Sequence, residues 1–330
     1  MNDKAVVVKG LTKIFPRVKA VDDVSFTVDE KGIFGLLGPN GAGKTTIIRM
    51  LLTLTKPTSG GIDIFGINAL SHAARVRQIT GYVPQGVSVD GELSGYENVA
   101  MYSRLYGVPG SERGQRIRDI LRYLGLQNRA GDLTDTYSGG MMRRLEIAQA
   151  LVNRPKILFL DEPSIGLDPA AQMALWELIR RARDEFDVTI LLTTHDMNEA
   201  DILCDRIGIM NRGKLIVTDE PSRLKSTMGG DVLTISSTTP CCADKLKELG
   251  YSVTSNFTEG QFDILVSNGE RSIPHLLESL NEAGVKVQSV SIKKPTLDDV
   301  FLKYTGTRIE EGSSWDETRQ VRRTFRRLTE

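Results

Sequence analysis

Cysteine is scarce in this chain: three among 330 residues, Cys204, Cys241 and Cys242, an odd count with two of them adjacent. That usage speaks against an extracellular disulfide framework and for reduced thiols in the cytosol. Long hydrophobic runs are missing as well. The longest, such as Val188 to Leu192, fall far short of the roughly 18–20 apolar residues that span a bilayer. No basic, then apolar, then small-residue start suggests a secretory leader. An excess of one charge is also lacking, since Lys+Arg and Asp+Glu both number 42, so no overall field draws the chain toward nucleic acid or an anionic membrane. What is present, 40% hydrophobic and 25% charged residues, is ordinary for a globular protein and too apolar for a disordered one. Single cores stop growing near roughly 250–300 residues, so two domains are expected, with a tail.

The hydrophobic pattern divides the chain further. Residues 4–26 read as two short strands, AVVVKGLTKIF and AVDDVSFTV, joined by a Pro-containing turn. GIFGLL, from Gly32 to Leu37, reads as a buried strand entering GPNGAGKTT and then a helix with Ile47, Ile48, Leu51 and Leu52 on its apolar side. ILFL (Ile157 to Leu160) and VTILL (Val188 to Leu192) bracket an amphipathic stretch from Ala170 to Phe186. Strand, helix, strand at this spacing predicts a parallel sheet covered by helices. The stretch from about Gly86 to Thr136 breaks that alternation and reads as an inserted helical subdomain, taken as about residues 86–150. After Gly229-Gly230 the order becomes β-α-β-β-α-β over residues 231–292, the split βαβ of ferredoxin-like domains, followed by a helix from Thr296 to Tyr304. Expected, therefore, are an α/β domain over 1–228, a small α+β domain over 231–304 and a basic tail over 305–330. In the tail, Trp315, Val321, Phe325 and Leu328 share a helical face against five arginines. Such a segment either rests on anionic headgroups or is a solvated terminus.

GPNGAGKTT, comprising Gly38, Pro39, Asn40, Gly41, Ala42, Gly43, Lys44, Thr45 and Thr46, fits G-x-x-x-x-G-K-[ST]. Its glycines let backbone N–H groups turn inward around phosphate oxygens, and the following helix aims its positive end at the same anion. Lys44 supplies charge for the β- and γ-phosphates, and the Thr45 hydroxyl can ligate Mg²⁺. ILFLDEP supplies the remaining chemistry. Asp161 leaves the end of a buried strand, where α/β sheets place ligands, and is the candidate for Mg²⁺ directly or through water. Glu162 is the candidate general base or water-positioner. These residues predict a P-loop NTPase with Mg²⁺, and no more than that. Ser138-Gly139-Gly140 opens a second helix as another anion-binding terminus. Two chains arranged head to tail would let each Ser138 helix meet the nucleotide on the other chain's Lys44 loop.

With these motifs in order, residues 6–224 resemble the ATP-binding subunit of an ABC transporter. Gly38 to Thr45 is similar to the Walker A loop, Gln85 to the Q-loop glutamine, Ser138 to Gly140 to the signature and Leu160 to Glu162 to Walker B. Ser164 to Asp168 (SIGLD) is similar to the D-loop and His195 in TTHD to the switch histidine. The resemblance implies that Gln85 reaches Mg²⁺ or the attacking water and that His195 contacts the γ-phosphate and orients Glu162. It further implies that Phe15 stacks on adenine, although the ring could instead be core, and that Asp168 bridges the dimer seam, although an Asp before Pro169 also suits a helix N-cap. Met141 stands where the signature usually has glutamine, and methionine cannot make that side chain's hydrogen bonds. Finer similarity in YSGGMMRRLEIA, LKSTMGGDVL and PTLDDVFLKYTG points to the daunorubicin-resistance-type branch. That implies export of a hydrophobic compound through a separate transmembrane subunit at the cytoplasmic face of the membrane, with a homodimer or a paralogue pair and no nucleic-acid partner. Lipid or ion export and a non-transport ABC ATPase are the alternatives.

Overall fold

The structure is a computed structural model that describes residues 4–238, 246–248, 250, 251, 253–255 and 261–305. It divides into two compact units, one reaching to Asp219 and the other starting at Glu220.

The first unit opens with the hairpin β1 (Lys4–Phe15) and β2 (Val18–Asp29). β3 (Ile33–Leu37), buried at every residue, then runs into α1 (Lys44–Leu51). β4 (Ser59–Ile64) and β5 (Ile67–Asn68) return to the hairpin and complete an antiparallel sheet of order β2-β1-β4-β5. α2 (Ala73–Gln78) and β6 (Thr80–Val83) precede the helical insertion, which consists of α3 (Gly95–Leu105), α4 (Gly110–Tyr123) and α5 (Gly139–Leu151). The alternation then resumes with β7 (Ile157–Asp161), α6 (Pro169–Phe186), β8 (Thr189–Thr194), α7 (Met197–Leu203), β9 (Arg206–Asn211) and β10 (Lys214–Asp219).

The second sheet of this unit has the order β10-β9-β3-β8-β7-β6, parallel except for the edge strand β10. Parallel strands need cover on both faces, and β3, β7 and β8 meet that demand with uninterrupted burial. One core joins the two sheets: Ala5, Val6 and Leu11 of β1, Phe34 and Leu36 of β3, Ile47 and Ile48 of α1, and Phe159 of β7 pack into a single cluster. The register sets Leu37 beside Thr194 and Asp161 beside Thr193. Three segments therefore leave the sheet side by side at its C-terminal edge: the loop after β3, the Asp161–Glu162 corner and His195. The expected α/β core with its β subdomain and helical insertion is the observed one. The short strands β4, β5, β6, β9 and β10, which the hydrophobic pattern did not reveal, owe their state to pairing with distant segments.

The second unit begins with α8 (Pro221–Ser226), whose proline sits in the first turn, where its missing N–H costs nothing. β11 (Asp231–Ser237), β12 (Val253–Ser255), β13 (Gln261–Val266) and β14 (Val287–Lys293) form an antiparallel sheet of order β12-β13-β11-β14. This is the arrangement a split βαβ chain produces. α9 (Gly269–Glu282) packs Leu276 and Leu280 against Leu233, Ile235 and Ile264 of the sheet, and α10 (Leu297–Thr305) follows. The helix expected over 243–249 is described only at 246–248. The turn at Glu259-Gly260, Cys241, Cys242 and the basic helix expected around Trp315 lie outside the described residues.

Phe159, wholly buried on β7, supplies a direct test of this core. Phe159→Ala lowers the stability of the first unit by about 3–5 kcal/mol, read from denaturant unfolding.

Candidate functional site

The loop from Gly38 to Thr46 is pressed against its surroundings where it must turn. Gly43 has φ 102°, and a Cβ there would lie 2.4 Å from the Ala20 carbonyl oxygen. At Gly38 it would lie 2.3 Å from the Met210 carbonyl oxygen. Only glycine fits either position. Just beyond, Lys44 is 5% exposed. Its Nζ donates to the carbonyls of Gly38 at 2.6 Å and Pro39 at 3.2 Å, and lies 3.0 Å from Glu162 Oε1. The loop lines a cleft of about 820 Å³ together with Phe15, Gln85 and Glu162, so these positions from separate parts of the sequence meet at one hollow. Phe15 is 39% exposed and borders the cleft, with the Lys13 ammonium over its ring, so it is not a core residue.

Asp161 sits at the end of β7, 1% exposed. Its Oδ1 accepts from Thr193 Oγ1 at 2.6 Å and Thr45 Oγ1 at 3.1 Å, while Oδ2 is buried without a hydrogen-bond partner. Burial holds this carboxyl above the ordinary aspartate range, against the two hydroxyl bonds. A buried carboxylate oxygen with no donor, beside a threonine hydroxyl that lines the same cleft as Gln85, suits a hard divalent cation. No cluster of three or more His, Cys, Asp or Glu with metal-binding geometry occurs among the described residues. A site with few carboxylates leaves room for water and phosphate in the shell of such a cation.

Glu162 is turned toward the cleft by a left-handed backbone, φ 51°. Its N–H donates to the backbone and side-chain oxygens of Thr193, both at 3.1 Å. His195 Nδ1 lies 2.7 Å from Glu162 Oε2. Burial opposes ionisation of Glu162, yet the His195 hydrogen bond and the Lys44 charge outweigh it and hold the carboxyl below the usual range. Reciprocally, the bond to Glu162 raises His195 above its ordinary value, against burial. The result is a line of charge from Lys44 through Glu162 to His195, with an ionised carboxylate at its centre.

Ser138 caps α5, its hydroxyl accepting from the Met141 N–H at 3.3 Å. Gly139 and Gly140 follow it, close to Leu167 and Ala171. Met141 thus contributes its backbone to the cap, a role independent of its side chain. Asp168 caps α6, accepting from Ala171 N–H at 2.9 Å ahead of Pro169, which is the helix-cap alternative for that residue. Sequence reasoning did not find Arg212 and Gly213, which line the same cleft. The Gly213 N–H donates to Ala42 at 3.1 Å, so the β9–β10 turn braces the phosphate loop. The Asn-Arg-Gly turn was legible as a hairpin signal, but its placement against the loop was not. Glu199, wholly buried on α7, accepts from Trp176 Nε1 at 3.0 Å.

A strand-loop-helix phosphate cradle, a carboxylate corner and a strand-end histidine along one sheet edge define a P-loop NTPase site, and comparison with known proteins narrows it to an ATP-binding cassette. Residues 21–165 match the model of the ABC transporter family, and residues 220–305 match that of the ATP-binding protein DrrA1-3-like, C-terminal domain. The daunorubicin/doxorubicin resistance ATP-binding protein DrrA of Streptomyces peucetius is 35% identical over 94% of this chain and 95% of its own length. The linearmycin resistance ATP-binding protein LnrL of Bacillus subtilis (strain 168) is 33% identical over 92% and 99%. A dimeric ATP-binding cassette in a post-hydrolysis state with ADP and Pi superposes with a TM-score of 0.60 at 27% identity, over 65% of this chain and 98% of that one. The chain belongs to the ABC transporter family, as an ATP-binding subunit that hydrolyses ATP.

Burial pushes the Glu199 carboxyl up to about 7, against the bond from Trp176. Below the ordinary glutamate value both folded and unfolded chains hold this proton. As pH rises toward 7 only the unfolded chain releases it, so the folded state loses stability over that interval, by roughly 3 kcal/mol at 1.36 kcal/mol per pH unit. Glu199→Gln removes this slope, and unfolding curves collected from pH 4.5 to 7 read the difference.

Proposed function

We propose that this subunit powers export of a hydrophobic, drug-like compound through a separate transmembrane subunit, by closing as a head-to-tail dimer around ATP. Support comes from the relatives that the chain spans nearly end to end, whose names refer to linearmycin and to daunorubicin and doxorubicin resistance. A Nod factor export ATP-binding protein of Ralstonia nicotianae, 35% identical over 92% of this chain, is a relative with a different cargo. Export is thus the broader reading and the compound class the narrower. The described residues include no helix long and apolar enough to cross a membrane, so a transport pathway drawn from another polypeptide fits what this chain offers. The same reading puts the subunit at the cytoplasmic face of the membrane, in a homodimer or paired with a paralogue.

The observation that carries the mechanism is the Lys44–Glu162–His195 line. Lys44 reaches the β- and γ-phosphates by exchanging its carbonyl and carboxylate partners for phosphate oxygens. Glu162, kept ionised, accepts a proton from the attacking water or holds that water in line. His195, its Nδ1–H committed to Glu162, presents the rest of its ring toward the γ-phosphate. Thr45, Asp161 and Gln85 would hold Mg²⁺, which when bound neutralises charge on the phosphates. Phe15 stacks on adenine. Ser138, Gly139 and Gly140 supply donors to the other protomer's nucleotide, and Asp168 lies at the seam. Met141 does not abolish hydrolysis, because the donors there are the Ser138 hydroxyl and backbone N–H groups. ATP favours the closed pair and ADP the open one, and that difference in binding is the work delivered to the membrane partner.

Glu162→Gln is the sharpest test. Turnover falls by about 10²–10⁴-fold, while ATP binding persists and a dimer accumulates on size exclusion in saturating ATP. A strictly monomeric variant under those conditions rejects the clamp. Co-purification with membranes, rather than with nucleic acid or ribosomes, separates transport from the non-transport alternative.

A further inference from the structure

Arg143 lies on α5, five residues beyond Ser138, and is 6% exposed. Its guanidinium is committed almost entirely to backbone oxygens. Nε donates to Pro163 at 2.6 Å, and Nη2 donates to Glu162 at 2.7 Å and Asp161 at 3.4 Å. Nη1 donates to Pro84 at 2.8 Å and to Glu146 Oε2, also at 2.8 Å. Glu146 in turn accepts the N–H of Ser88 at 2.7 Å and its hydroxyl at 3.1 Å. One buried pair on the signature helix thus grips the Asp161–Pro163 corner and, at Pro84 and Ser88, both sides of the segment carrying Gln85.

The corner needs such a grip. Glu162 holds a left-handed φ of 51° that a side-chain-bearing residue adopts only at a cost, and its carbonyl is one of those Arg143 binds. A buried guanidinium is itself tolerated only when its charge and donors are met. Each group therefore accounts for the other. A lysine cannot substitute, because an ammonium lacks the planar five-donor fork that reaches several carbonyls at once.

We propose that Arg143 is a positioning residue for ATP hydrolysis: from the helix that serves the partner's nucleotide, it holds its own chain's Glu162 and Gln85 in mutual register. This rests on the roles and the head-to-tail pairing proposed above. It also supplies a physical link between the two nucleotides of the dimer. Motion of α5 when Ser138 engages one nucleotide is passed through Arg143 to the carboxylate that acts on the other.

The test uses the full-length chain. Arg143→Met lowers kcat for ATP at least tenfold, while KM and the affinity for a fluorescent ATP analogue stay within threefold. Arg143→Lys, which preserves charge and much of the bulk, recovers less than a third of the loss and provides the readout should the methionine variant melt early. A kcat within twofold of the parent in the methionine or lysine variant, or a loss carried by KM alone, overturns the assignment. Differently tagged copies then locate the effect in dimers where one chain carries Glu162→Gln. Arg143→Met on the chain that keeps Glu162 costs at least fivefold more activity than the same change on the Glu162→Gln chain. Equal losses, or the reverse order, overturn the proposed action on the residue's own chain. A Glu162→Gln chain that stays monomeric in saturating ATP would count against head-to-tail pairing, and the kcat split would still decide the role of Arg143.

Discussion

Two buried side chains of opposite charge, Lys44 and Glu162, lie 3.0 Å apart at the edge of the parallel sheet, and the rest of the site is arranged around that pair. Neither charge is tolerable alone at that depth, since an unpaired ion in a protein interior costs several kcal/mol. Glycine at Gly38 and Gly43 lets the loop deliver Lys44 to the spot, and the left-handed turn at Glu162 delivers the carboxylate. His195 meets the second carboxylate oxygen, so the pair is held with its charge aligned along the cleft.

The sheet makes this possible because its strands are parallel and in step. β3, β7 and β8 end at the same level, so Gly38, Asp161 and His195 come together although well over a hundred residues separate the first from the last. The Gly38 N–H donates to the Thr194 carbonyl at 3.1 Å, and Thr193 ties both Asp161 and Glu162 to β8. A change of strand register would move an entire set of functional groups at once.

None of these side chains belongs to the second unit. Its sheet, covered by α9, has its own core of Leu233, Ile235, Phe262, Ile264, Leu276 and Leu280. Its family match is to a domain named for DrrA1-3-like proteins. That match covers 220–305 and begins at the same residue as the compact unit, so α8 goes with the second unit although the glycine pair at 229–230 is the more visible break in composition.

Local chemistry determined much of this from the sequence alone. The glycine spacing of Gly38 to Gly43, the apolar runs of β3, β7 and β8, and the Asp161–Glu162 pair after a buried strand are all short-range patterns whose physics acts on neighbours in the chain. They sufficed to predict a phosphate loop, a parallel sheet and a carboxylate corner, and the order of later elements sufficed for the split βαβ unit. Tertiary structure alone decided the partners of those groups. It brought Arg212 and Gly213 to the cleft, set Thr193 beneath both acidic residues, and buried Arg143 against the backbone of 161–163. No local pattern marks such residues, because a surface arginine and a buried one look alike in sequence. Which of them is desolvated, and therefore must find partners, depends on contacts between segments far apart along the chain.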